Sequence, residues 1–209
     1  MIETRHYFDR RAQAFDRVYA RPSPLRRGPL RGRALAAEVV AGHEAPAVLD
    51  VGCGPGRVGE AVLAAGAASY VGIDLAPRML QLARARLGGD PRVELLEGDF
   101  LGPELELPTE TSFDVVLALG LFDYVAEPLR AAEWLRARCT STLVASFTRW
   151  DWLKGPPRRL EYALHHLAVR DYDPAGVVEL LSGAGFGRVE VAANGRRGFH
   201  VVAGSGGAG

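Results

Sequence analysis

The sequence predicts an α/β fold: a doubly wound, mostly parallel seven-stranded sheet with a C-terminal antiparallel hairpin, helices on both faces and an N-terminal helical cap. Three observations predict it. Short apolar runs alternate with helical patterns from Val48 to Ala184; each crossover between parallel strands needs a helix and a right-handed path, so the alternation implies a parallel sheet. The first run, Val48-Leu49-Asp50-Val51, stops at glycines on alternate positions, Gly52, Gly54 and Gly56, and a helical pattern follows. The chain finishes on two alternating segments around Asn194-Gly195, the signature of a hairpin.

The elements follow in order. Tyr7 to Tyr19 carries Phe8, Ala12, Phe15 and Tyr19 at helical spacing, and Leu30 to Val40 repeats the pattern after the Pro22-Ser23-Pro24 break. These two helices make the cap, residues 1–45, expected to lie over the sheet. The core, 46–147, opens with the strand Val48 to Val51 and a helix from Val58 to Ala65 that Gly66 ends. Ser69 to Asp74 is the second strand, and Pro77 starts a helix that runs to Leu87; proline suits a first helical turn because its missing N–H is not needed there. The third strand is Arg92 to Leu96, followed by a polar connection from Leu101 to Ser112. Strand four, Phe113 to Leu119, gives way to a helix from Glu127 to Arg138, and Ser141 to Phe147 is strand five. An insertion on the substrate side, 148–173, holds an extra helical segment, Pro156 to Val169. Residues 174–203 complete the sheet through a helix, Pro174 to Ala184, and the hairpin strands Phe186 to Ala193 and Gly198 to Ala203. Gly204 to Gly209 reads as a flexible tail.

With 209 residues, 48% of them hydrophobic, the chain is expected to be one domain with a full core. Its 25 basic and 25 acidic side chains cancel, which removes the whole-molecule field that gathers nucleic acid and makes such a partner unexpected. Arg21, Arg26, Arg27, Arg31 and Arg33 are a local exception, read either as a solvated helical face or as an anchor for an acidic substrate group. Cys53 and Cys139 have neither disulfide-framework nor metal-ligand spacing, so no metal site is expected. No run reaches the roughly 18 apolar residues of a spanning helix, and the N-terminus lacks an apolar signal core. A soluble, cytoplasmic protein with no membrane partner is expected.

The glycine run points to a ligand. Glycine tolerates positive φ and lets a bound molecule approach the backbone without meeting a Cβ. Tyr70-Val71-Gly72-Ile73-Asp74 then ends in an acid 18 residues beyond Gly56, where a carboxylate suits ribose hydroxyls. The order Asp-x-Gly-x-Gly-x-Gly departs from the dinucleotide fingerprint, because Arg57 stands where its third glycine would be. At this point the sequence resembles the class I methyltransferases that use S-adenosylmethionine, whose first motif is an acid followed by Gly-x-Gly-x-Gly. Glu97-Gly98-Asp99-Phe100 and Phe113-Asp114-Val115-Val116-Leu117-Ala118-Leu119 extend the resemblance, which runs from Val48 to Ala203. It implies S-adenosylmethionine as the cofactor. Gly52, Gly54 and Gly56 would pass against its methionine portion, with Asp50 at the ammonium end and Cys53 as a small loop filler. Asp74 would hold the ribose, Leu75 and Met79 would pack on the adenine, Asp99 would accept from its exocyclic amine and Phe100 would cover its edge. Leu119 joins this set at the end of strand four. A turn or cap role is the ordinary alternative for Asp50 and Asp99.

The exit of strand four, Gly120-Leu121-Phe122-Asp123-Tyr124, is where the resemblance places acceptor chemistry. It is not the Asn-Pro-Pro-Tyr typical of relatives that methylate exocyclic base amines or glutamine side chains, nor does the chain carry the Pro-Cys pair of cytosine C5 enzymes. Asp123 or Tyr124 is a candidate proton acceptor; Asp123 reads equally well as a helix N-cap before Glu127. His165 and His166 lie on the inserted segment, and a histidine near its ordinary pKa of ~6.5 suits removal of a hydroxyl proton. Adjacent helical residues diverge by about 100°, so at most one faces a site, and a packing role is the plain alternative for each. Tyr19, Phe122, Trp150, Trp152 and Tyr162 are expected to wall an apolar pocket for a small organic acceptor. The expected activity is methyl transfer to an oxygen or nitrogen of a small molecule. The alternatives are an inactive S-adenosylmethionine-binding regulatory or assembly protein, and a protein or RNA methyltransferase.

Overall fold

The computed structural model describes residues 2–20, 27–103, 105, 107, 111–149, 170–195 and 198–206. Its strands are β1 (Ala47–Val51), β2 (Ser69–Asp74), β3 (Val93–Glu97), β4 (Phe113–Ala118), β5 (Cys139–Thr148), β6 (Val189–Gly195) and β7 (Gly198–Gly204). They form one sheet in the order β3-β2-β1-β4-β5-β7-β6. The pairs from β3 to β5 are parallel, whereas β7 inserts antiparallel between β5 and β6. Between β1 and β4 the winding reverses direction, and ligands of open α/β sheets bind outside the strand C-termini at such a switch point.

The helices are α1 (Ile2–Ala20), α2 (Arg27–Ala41), α3 (Arg57–Ala64), α4 (Pro77–Leu87), α5 (Pro128–Arg138) and α6 (Pro174–Gly183). Strand alternation divides the core in two. Leu49, Val51, Val116, Ala118, Ala145 and Phe147 point to one face, where Ala131, Leu135, Val177 and Leu181 of α5 and α6 cover them. Val48, Val115, Leu117 and Val144 point to the other, beneath Ala36, Val40, Val62, Leu63 and Leu80 of α2, α3 and α4. Among the described residues no helix is long and apolar enough to cross a membrane.

The sequence pattern locates β2 and α4 at their observed bounds, and the other matched elements shift by a few residues. Two differences have clear causes. The first is that β5 starts at Cys139, directly after α5 with no intervening loop. Arg136 pins this joint by donating to the Cys139 carbonyl at 3.1 Å and the Gly185 carbonyl at 2.8 Å. The second is that β6 starts at Val189 instead of Phe186. Gly185, at φ 92°, turns the chain out of α6, and the Phe186 ring drops into the core at 3% exposure before strand alternation begins.

The cap helix α1 lies along α4 and is fastened at three levels. Arg5 donates to Glu97 at 2.5 Å. Asp9 accepts the Arg78 backbone N–H at 2.8 Å, which supplies a partner for an orphan amide of α4, since the N-cap Ala76 has no capping side chain. Asp16 accepts from Arg57 at 2.8 and 3.1 Å and from Arg86 at 3.0 Å. Ala12 packs with Ala76 and Met79 between Phe8, Phe15 and Leu82.

Candidate functional site

The loop after β1 reaches its shape through three left-handed glycines, Gly52 at φ 77°, Gly54 at 54° and Gly56 at 77°. They serve different ends. A Cβ on Gly56 would stand 2.9 Å from Leu87 Cδ1 and 3.2 Å from Ala83 Cα, so this glycine lets α3 pack against α4. A Cβ on Gly54 would meet nothing within 4 Å, and one on Gly52 would meet only Leu121, at 3.4 Å. The open side of the loop is therefore at Gly52 and Gly54. Both the Gly52 and Cys53 amides donate to the Ile73 carbonyl, at 2.8 and 3.0 Å, folding the loop back on β2.

Asp74, at the tip of β2, joins the loop to the start of α4. Its Oδ2 accepts the Gly54 N–H and its Oδ1 the Ala76 N–H, each at 2.8 Å. Burial raises its pKa, and the amides of Ala76, Gly54 and Leu75 act the other way. Asp50 is more deeply placed, 1% exposed, and accepts the Tyr70 hydroxyl at 2.8 Å. Burial pushes it up to about 7, opposed by the Tyr70 hydrogen bond and reinforced by the Asp74 charge. Cys53 is a buried filler on the α2 and α3 side; burial holds its thiol well above the usual range, so it stays protonated.

On the adenine side expected from the sequence, Leu75 is half-buried beside Asp74, and Met79 is 3% exposed beneath α1. Asp99 Oδ1 accepts the Leu101 N–H at 3.0 Å in a local turn. Phe100 departs from its expected place at a ligand edge. Its ring packs edge-on against Trp134 at 5.2 Å and is 6% exposed, because α5 offers it an apolar slot in the core. Leu119 is half-buried against the cluster beneath α2.

On the acceptor side expected from the sequence, Gly120 takes φ 78° and donates its N–H to Ser146 Oγ at 2.8 Å. Phe122 is not a pocket wall. It is fully buried and stacks on Phe147 at 4.8 Å, in line with Phe199. Nor is Asp123 the cap of α5, a position that Glu127 occupies. The short 3-10 turn Phe122–Tyr124 instead swings the Asp123 carboxylate, 5% exposed, to accept the Thr148 N–H at 3.0 Å and its hydroxyl. The exits of β4 and β5 are thereby tied together. Tyr124 packs edge-on against Phe8 of α1 at 4.9 Å. Trp150, Trp152, Tyr162, His165, His166, Arg21 and Arg26 lie outside the described residues, as does the side chain of Tyr19.

Several contributors were not singled out from sequence. Tyr70 was readable in principle, since the period of β2 puts Tyr70, Gly72 and Asp74 on one face. Asp16, Arg57 and Arg86 had no local signal, because their meeting joins residues 41 and 70 positions apart. Ser146 is similarly defined only by its distant partner.

The family described as Methyltransferase domain matches residues 48–140. A demethylmenaquinone methyltransferase of Tropheryma whipplei is 40% identical over 116 residues, 55% of this chain and 45% of the relative. A tRNA U34 carboxymethyltransferase of Aeromonas salmonicida is 39% identical over 92 residues, 43% of this chain and 27% of the relative. The chain spans less than half the length of the curated relatives it matches. The solved magnesium protoporphyrin IX methyltransferase from Synechocystis PCC 6803, with bound SAH, superposes at a TM-score of 0.69 with 18% identity, covering 96% of this chain and 97% of that one. The fold is therefore shared along nearly the whole chain, while sequence likeness concentrates in the half that carries the glycine loop. Residues 48–140 thus resemble a methyltransferase domain, and the fold around them is the one seen in that solved S-adenosylhomocysteine-bound methyltransferase.

Proposed function

We propose that the protein binds S-adenosylmethionine and transfers its methyl group to an oxygen or nitrogen of a small-molecule acceptor. The observation that carries this reading is the Asp74 carboxylate bonded to the amide of Gly54, a glycine with open space where its Cβ would be, beside the switch point of the sheet. A ligand there meets bare backbone and a carboxylate together. The Asp74 oxygens take the Gly54 and Ala76 amides, and a carboxylate has acceptor capacity beyond its amide partners, which fits a ribose hydroxyl.

The bound cofactor supplies an electrophilic methyl on a cationic sulfonium. The residues of this chain have the complementary tasks. The backbone at Gly52 and Gly54 receives the methionine portion, Leu75 gives the adenine an apolar surface with Met79 buried beneath α1 behind it, and Asp99 offers an acceptor to its amine. Alignment of donor and acceptor can contribute about 7–11 kcal/mol to such a displacement. Exclusion of water falls to α1, whose Phe8 and Phe15 lie over Met79 and meet Tyr124. His165, His166 and Tyr124 are the proposed proton acceptors for a hydroxyl substrate. Asp123 is better suited to holding Thr148, since it accepts two hydrogen bonds from that residue.

The balanced charge and the absence of the Asn-Pro-Pro-Tyr tetrapeptide support a small acceptor. One relative is named for tRNA, so tRNA belongs in the acceptor screen. The test is calorimetric titration with S-adenosylmethionine, S-adenosylhomocysteine and NAD in parallel. Micromolar binding of the two sulfur compounds without NAD is expected. Binding of NAD alone refutes the cofactor assignment, and binding without transfer to any acceptor class refutes the enzymatic one.

A further inference from the structure

We infer that the Tyr70 hydroxyl is a positioning group for cofactor binding: by donating to Asp50 it favours the charged form of a carboxylate beneath the glycine loop, where that charge favours a cationic ligand. The inference rests on the cofactor reading above, since S-adenosylmethionine carries an ammonium and a sulfonium.

The surroundings of Tyr70 are built for its hydroxyl. In the parallel register Asp50 lies opposite Gly72 and Tyr70 opposite Val48, so Tyr70 and Asp50 are diagonal neighbours on one face. Two glycines make room for the ring. A Cβ on Gly59 would stand 2.7 Å from Cζ and 2.9 Å from the hydroxyl oxygen, and one on Gly72 would stand 3.0 Å from Cε1. Gly59 lies inside α3, where glycine costs about 1 kcal/mol relative to alanine. The ring is 0% exposed, and a phenylalanine would fill the same apolar volume without a polar atom to desolvate. What the tyrosine adds is one hydrogen bond, and Asp50 receives it at 2.8 Å.

Asp50 has few other partners. The loop above it offers Cys53, whose thiol stays protonated, and β2 offers Tyr70 and Asp74. The cluster on this face contributes Val115 and Leu117 from β4, Ala36 and Val40 from α2, and Val62 and Leu63 from α3. No cation is among these groups. A buried carboxylate so placed is charged only at a cost, which Tyr70 reduces and a bound cation reduces further. Cofactor binding near neutral pH should then drive a proton off Asp50 into solvent.

The test is calorimetry on the full chain with S-adenosylmethionine and S-adenosylhomocysteine across roughly pH 5.5 to 8.5, in two buffers of different ionisation enthalpy. Wild type is expected to release protons on binding near neutral pH and to lose affinity as the medium becomes acidic. Tyr70→Phe removes a hydrogen bond that favours the charged form, so the inflection in affinity moves upward by about one pH unit, weakening binding near neutrality up to roughly tenfold. Asp50→Asn loses the proton release. Any inflection common to all three proteins belongs to Asp74 or to the ligand's amine. Wild type that binds without releasing protons overturns the inference even if Tyr70→Phe fails to fold. So does an unmoved inflection in a Tyr70→Phe protein that melts as a folded domain. Wild type that binds neither compound at any pH overturns the cofactor reading, and this inference with it.

Discussion

Alanine at Gly54 and at Gly56 separates the ligand-facing part of the glycine loop from its structural part. Both residues hold positive φ, 54° and 77°, so either substitution incurs the left-handed penalty of about 1–2 kcal/mol. At Gly54 nothing lies within 4 Å of the new methyl, and the cost stops there. At Gly56 the methyl would enter a space 2.9 Å from Leu87 Cδ1 and 3.2 Å from Ala83 Cα; forcing α3 from α4 adds an overpacking cost of about 1–3 kcal/mol. The expected losses of stability are therefore about 1–2 kcal/mol for Gly54→Ala and about 2–5 kcal/mol for Gly56→Ala. For a chain of this size those correspond to falls in melting temperature of about 2–8 °C and about 4–20 °C. Binding should rank the other way. Folded Gly54→Ala should lose at least about 1.4 kcal/mol of S-adenosylmethionine affinity, or tenfold, because its methyl occupies the open side of the loop. Urea denaturation measures the first quantity and calorimetric titration the second. Equal stability losses, or wild-type affinity in Gly54→Ala, would refute the division of roles.

Two further substitutions probe the same edge. Asp74→Ala should weaken S-adenosylmethionine binding by at least about 1 kcal/mol through loss of charge-assisted hydrogen bonds, and unchanged affinity in a titration would remove Asp74 from the ribose. Asp16→Asn should lower stability by about 1–2 kcal/mol at neutral pH, since Asp16 accepts from both Arg57 and Arg86. Burial raises the Asp16 pKa but the two arginines outweigh it, leaving it below the ordinary aspartate value. A lowered folded value means the stabilisation is complete above the unfolded pKa and disappears as pH falls through the folded one. The gap between wild type and Asp16→Asn should thus close only in acid, and a gap that closes near neutrality in denaturant titrations would contradict this assignment.

Local patterns made much of the fold legible. Ser69 to Asp74 reads as a strand because its ending acid and the following Pro77 punctuate it, and Pro77 to Leu87 reads as a helix by the spacing of Met79, Leu80, Ala83 and Leu87, all buried. Phe186 misled because an apolar residue beside a strand looks like part of it; its burial comes from the turn at Gly185, a tertiary event. The glycine loop and Asp74 were legible since backbone conformation and a strand tip are encoded in a few adjacent residues. Phe100 and Phe122 were not, because whether an aromatic side chain faces a ligand or the core depends on distant partners, here Trp134 and Phe147. The Asp16 network was invisible for the same reason.

The loopless joint between α5 and β5 has a consequence for how this chain can change in length. A residue added between Arg138 and Cys139 has no slack to enter, and a register slip of one would send Leu143, Ala145 and Phe147 to the opposite face and bring Thr142 and Ser146 into the core they vacate. Arg136, bonded to the Cys139 carbonyl at the joint and to the Gly185 carbonyl in the turn after α6, holds that phase. Insertions and deletions that retailor the acceptor side are thereby channelled downstream of Thr148, where lengthening the connection leaves the side-chain alternation of β5 untouched.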